Sequence, residues 1–282
     1  MTFSNPTAAI HVPDGSPPAA ALASTTHLGI GAHQDDLELI AVHGIIECFE
    51  SPCAHFTGVT VTDGGGCPRT GPYAGYNDEQ MKAMRRKEQI EAADLGRYAA
   101  QVMLDFTSAA IKGPGADMAR ADIRAVLEAT RPRVVYTHNL ADKHDTHVAV
   151  ALRVIEALRE LPSDARPQLV LGCEAWRDLD WLPDDEKIVL DVSANEDLAI
   201  RLMQVFKSQI DGGKRYDLAA EGRRRANATM LSSHETDRAS AVTFAMDLTP
   251  LIAAPDKDVS EFVVRCIERF AEDVKDRIRR MS

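Results

Sequence analysis

The sequence predicts an α/β, Rossmann-like fold: a mostly parallel open sheet with helices on both faces. Three observations lead there. Short β-like runs alternate with segments of helical spacing through residues 27–210, and strands separated by helical crossovers build parallel sheets. The run RVVYTHN at 133–139 carries adjacent valines, which suit a strand buried on both faces. Clusters of His and Asp follow three of the strand-like runs, where ordinary turn residues would suffice.

The elements follow in order. The first 26 residues, rich in Pro, Ala, Ser and Thr, read as a flexible N-terminal arm. Residues 27–282 then read as a single domain. HLGIGAH (27–33) is a short apolar strand, and 37–50 continues with helical spacing. HFTGVTVTDGGG (55–66) is a strand that breaks into glycines, and 78–96 is a long helix ending on Gly96. QVMLDF (101–106) is a strand, and 117–131 is a helix stopped by Pro132. After the 133–139 strand come an amphipathic helix at 146–161, strands at 168–174 and 187–193, and a helix at 195–210. The C-terminal part, 212–282, reads as an irregular segment with a basic cluster at 212–238, then a final amphipathic helix packed on the sheet.

Composition narrows the function. With 282 residues, 45% hydrophobic and 27% charged, the chain can bury a sizeable core as an ordinary soluble protein. A formal net charge of -11 argues against a nucleic-acid partner, which needs a broad basic face. Five cysteines, none in a CxxC pair, suit reduced thiols. No Lys or Arg precedes Arg69, so the basic start of a signal peptide is missing. No apolar run approaches the roughly 18 residues needed to cross a bilayer. The expectation is a cytoplasmic protein without a membrane partner.

GAHQDDLE (31–38), TDGGG (62–66) and THNLADKHDTH (137–147) all fall after strands. In open α/β sheets that edge binds ligands. His33 and Asp36 are three apart, as are His144 and His147, so each pair can share one side of a helix's first turn. Imidazole and carboxylate together suit a borderline divalent metal. The plainer reading makes Asp35, Asp36 and Asp145 helix N-caps.

GAHQDDLE resembles the AHPDDxE motif of the PIG-L/LmbE family of zinc-dependent N-acetylglucosaminyl deacetylases, and DKHDTH resembles that family's HPDH motif. VTDGGG and RRKEQIEAADLG, with Arg85 three residues before Glu88, keep the family's order. The resemblance spans about 27–175. It implies His33, Asp36 and His147 as ligands of Zn2+ or another divalent metal. It also implies Asp35 as general base, and His144 as the residue that stabilises the oxyanion or protonates the leaving amine. Gln34 replaces the usual Pro and loosens the turn, while Thr146 stands where the motif has Asp. Asp142 is a substitute for that missing carboxylate.

The expected reaction is hydrolysis of an acetamide on an N-acetylated, GlcNAc-type aminosugar. Metal-activated water attacks, Asp35 takes its proton, and a positively charged His144 stabilises the oxyanion. Asp63, Arg85, Asp142, Lys214, Arg215 and His234 are candidate substrate contacts, and homo-oligomerisation stays open. The rival readings are a metal-dependent phosphoesterase and a non-catalytic sugar-binding protein with a vestigial site.

Overall fold

In the computed structural model, which describes residues 1–114 and 116–282, eight strands form one sheet. They are Ala9–His11 (β1), His27–Gly31 (β2), Phe56–Thr62 (β3), Ala100–Phe106 (β4), Val134–His138 (β5), Leu169–Cys173 (β6), Lys187–Asp191 (β7) and Val242–Asp247 (β8). The order is β1-β4-β3-β2-β5-β6-β8-β7. The run from β4 to β6 is parallel, while β1, β7 and β8 pair antiparallel. The α/β, mostly parallel open sheet expected from the sequence is therefore the fold.

Helices in the first half are Pro18–Ala23 (α1), Asp36–Ile40 (α2), Val42–Cys48 (α3), Asp78–Leu95 (α4), Ser108–Lys112 (α5) and Ala116–Thr130 (α6). Asp145–Glu160 (α7), Glu196–Gln204 (α8), Lys207–Ile210 (α9), Tyr216–Met230 (α10), Thr249–Ala253 (α11) and Val259–Met281 (α12) complete the set. Alternation along the strands feeds two apolar layers. Leu28, Ile30, Val59 and Val135 join Ile123, Val126, Val150 and Val154 in one, and Phe56 and Tyr136 join Ile40, Ile45 and Phe206 in the other.

Chain order moves from β2 outward to β3 and β4, then returns to β5 on the other side of β2. Loops leaving β2 and β5 therefore diverge, and a crevice opens at their carboxyl ends. Gly31 ends β2 because a Cβ there would stand 2.9 Å from the Cβ of Asp36. The close approach lets the next helix start directly against the strand.

Three expectations change. The first 26 residues carry β1 and α1, and Asn5 donates to the Leu104 carbonyl at 2.7 Å while Ser4 bonds Asp122. Their small apolar residues find an open sheet edge to cover. The C-terminal part is more regular than expected: 216–230 is a helix despite Gly222, and 242–247 is the strand that β7 pairs with. Finally, α12 packs only its beginning on the body, through Phe262 and Cys266.

Candidate active site

The crevice between β2 and β5 gathers His33, Asp36, His138, His144 and His147. His33 Nδ1 lies 3.2 Å from His147 Nε2 and 3.2 Å from Asp36 Oδ2, and His147 Nε2 lies 3.4 Å from Asp36 Oδ1. One donor atom from each of the three residues lies within 4.8 Å of the others, a grouping that could hold a metal ion. Asp36 Oδ2 also accepts the His33 backbone N–H at 2.6 Å and stands 3.3 Å from His138 Nε2. Burial alone would raise the Asp36 carboxyl, yet His147, His138 and His33 hold it well below its usual range.

Asp35 occupies the N-cap position of α2, but its side chain caps nothing. Its φ of 98° is left-handed, which costs a non-glycine residue about 1–3 kcal/mol. Its carboxylate instead forms an ion pair with Arg85 at 3.1 Å. Burial pushes the Asp35 carboxyl up to about 7 against the pull of Arg85. The plain N-cap reading thus fails for the pair that raised it.

Around this pair the two loops are tied together. Gln34 is buried, and its Nε2 donates to the Thr62 carbonyl at 3.1 Å. Its own backbone carbonyl accepts from Arg85. Gly64, at φ +71°, passes so close that a Cβ would collide with the Gln34 amide. Gln34 therefore fastens the turn it was expected to loosen.

His144 is the N-cap of α7, with Nδ1 accepting the Thr146 N–H at 3.3 Å. The acceptor role of Nδ1 leaves Nε2 to carry the proton. Burial, together with His147 and His33, lowers the His144 pKa, which works against the expected cation. Asp142 accepts the His144 N–H at 2.9 Å and the Trp176 N–H at 3.1 Å, and its Oδ2 lies 3.6 Å from His147 Nδ1. It stands behind His147 of the donor triangle, where a carboxylate would orient that imidazole, and does not line the cavity.

A cavity of about 540 Å³ opens over this cluster, lined by His33, Asp35, Asp36, Arg85, His144 and His147. Its far wall is Trp176, Lys214, Tyr216 and Arg223, with Lys112 also on the lining. Lys214 Nζ lies 5.1 Å from the Trp176 ring centroid, and Tyr216 meets that ring edge-on at 5.6 Å.

Of the remaining candidates, Arg85 and Lys214 line the cavity, whereas Asp63 pairs with Lys82 at 3.2 Å and accepts the Gly65 N–H. Arg215 pairs with Asp217 at 2.8 Å, and His234 is exposed away from the lining. Sequence reasoning missed Lys112, Trp176 and Tyr216, and it gave His138 no role. The signal for His138 is its place as the last residue of β5, beside the start of α2.

Residues 28–158 match the family described as GlcNAc-PI de-N-acetylase, PIG-L. No curated protein matches it in sequence. Among solved structures it is similar to the N,N'-diacetylchitobiose deacetylase of Pyrococcus horikoshii, with TM-score 0.63, 16% identity, and 84% of this chain and 88% of that one covered. It is also similar to GalB, the 4-carboxy-2-hydroxymuconate hydratase of Pseudomonas putida, with TM-score 0.62, 16% identity, and 79% and 96% covered. A third is Dbv21, the A40926 pseudoaglycone deacetylase, with TM-score 0.56, 20% identity, and 79% and 97% covered. At such identities these likenesses establish a shared fold. Every residue of the His33–Asp36–His147 triangle falls inside the matched stretch, whereas Trp176, Lys214, Tyr216 and Arg223 lie beyond it.

Proposed function

We propose that the chain is a metal-dependent N-deacetylase acting on a small aminosugar of the N-acetylglucosamine type, with zinc as its metal. The observation that carries this reading is the split between the adjacent aspartates. Asp36 belongs to the donor triangle, while Asp35 faces the same cavity beside it, held by Arg85. Two imidazole nitrogens and one carboxylate oxygen are the ligand set of many catalytic zinc sites.

A divalent cation held there supplies Lewis acidity, activating water near neutral pH and polarising an amide carbonyl. Asp35 accepts the proton of the attacking water. Arg85 fixes one of its carboxylate oxygens, which keeps the base aimed into the cavity. The His144 Nε2–H donates to the oxygen that gains charge at the tetrahedral stage. Protonated Asp35 then returns its proton to the nitrogen as the C–N bond breaks, releasing acetate and a free amine.

The wall adds a preference. Lys112 and Lys214 line the cavity without a carboxylate partner among the described residues, in a chain of net charge -11. The cavity carboxylates are already engaged, Asp35 by Arg85 and Asp36 by histidines. Such a mouth concentrates anions, so the favoured aminosugar carries a phosphate or carboxylate.

The test is acetate release from N-acetylglucosamine and its 6-phosphate, with and without chelator. Chelator-sensitive release, greater for the phosphate, supports the reading. The similarity to GalB and the cationic mouth favour one other reaction, water addition to an unsaturated polycarboxylate. Consumption of such a substrate with no acetate released from any amide would replace deacetylation with hydration. A two-metal phosphoesterase finds less support, because the second donor group, His138–Asp142–His147, shares His147 with the first.

A further inference from the structure

The final helix carries an apolar seam that the body of the protein leaves uncovered. Beyond Phe262 and Cys266, α12 exposes Val264, Ile267, Phe270, Val274, Ile278 and Met281, each between 39 and 81% accessible. Val264, Ile267, Ala271, Val274, Ile278 and Met281 follow one another at alternating spacings of three and four. That is the period of a coiled-coil seam, and a contiguous exposed seam of this kind marks an association surface. The first half of the helix is anchored, since Arg269 near its middle pairs with Asp185 at 2.8 Å and with Glu186.

The charges beside the seam select the occupant. Glu268 and Lys275 sit one heptad apart on the same flank, each just after a seam residue. Laid antiparallel on an identical helix, Val264 meets Met281, Ile267 meets Ile278 and Ala271 meets Val274. The same register sets Glu268 beside Lys275 of the other copy, twice by symmetry. On the opposite flank it brings Arg277 beside Phe270, a cation–π arrangement. A parallel pairing would instead set Glu268 beside Val263 and Lys275 beside Phe270 of the other copy, with no opposite charge to meet. Lys275 now holds Glu272 at 2.7 Å, an exposed pair one turn away that exchanges at little cost.

We propose that α12 is a homodimerisation helix, pairing antiparallel with α12 of a second copy through the Val264–Met281 seam about a two-fold axis. The inference stands apart from the catalytic reading, because the seam lies outside the cavity lining.

Sedimentation equilibrium of the full chain and its variants tests it. The wild type is expected to dimerise in the micromolar range, and Ile267→Glu with Ile278→Glu to leave a monomer with an unchanged melting temperature. Glu268→Lys and Lys275→Glu should each weaken the dimer at least tenfold, and the double swap should restore it. A wild type monomeric up to 100 μM (an order-of-magnitude ceiling for specific self-association) overturns the proposal. So does a dimer that ignores the seam substitutions, or a double swap no better than the single ones.

Discussion

The two sides of the cavity are built differently. The metal side rises from the ends of β2 and β5, where a topological switch point fixes two loops. Its polar atoms engage one another: Asp36 meets three histidines, Asp35 meets Arg85, and Asp142 backs His147. The opposite side comes from the loop after β6, the turn before α10 and α10 itself, and it presents an aromatic pair and cations without carboxylate partners among the described residues. On the proposed function, one side would carry the reaction and the other would choose what undergoes it.

Substitutions can break or sharpen that contrast. On the metal side, His147→Ala should remove a ligand and with it nearly all bound metal, taking acetate release to background. Full metal occupancy by elemental analysis would remove His147 from the ligand set. Asp142→Asn should act one step further out, weakening metal affinity about 10–100-fold, as loss of a second-sphere partner does. A competition titration with a chelator measures it, and an unchanged affinity would detach Asp142 from His147. Across the cavity, Lys214→Gln should raise KM for N-acetylglucosamine 6-phosphate about fivefold, one exposed charge pair being worth about 1 kcal/mol, with kcat held within about twofold. A fall in kcat alone would place Lys214 with the chemistry.

The smallest effect belongs to the tie between loops. Gln34→Leu removes the donor to the Thr62 carbonyl and should cost about 1–3 kcal/mol, the penalty for a buried group left unpaired. Urea unfolding reads it directly, and a neutral result would mean the turn is held without Gln34.

What could be read in advance follows the same division. His33, Asp36, Asp35, His144 and His147 lie in two short motifs after strands, so local spacing sufficed to bring them together. The charge state of His144 did not follow from spacing, because it depends on burial and on two neighbouring imidazoles. Lys112, Trp176 and Tyr216 come from three separate segments and meet only through tertiary packing. Helix α10 escaped notice because Gly222, three arginines and Asn227 blur its apolar face. It is held by long-range bonds, Arg224 to the Glu38 carbonyl at 2.9 Å and Asn227 to Glu174 at 2.6 Å. At the other end, β1 is too short for a local signal and forms because β4 offers a free edge.

The division of labour between the paired aspartates is tested most directly by measuring metal content and acetate release together in Asp35→Asn. The variant is predicted to keep wild-type metal stoichiometry while kcat falls about 10²–10⁴-fold, the usual contribution of a positioned general base. Loss of metal from Asp35→Asn, or turnover close to wild type with metal retained, would contradict it.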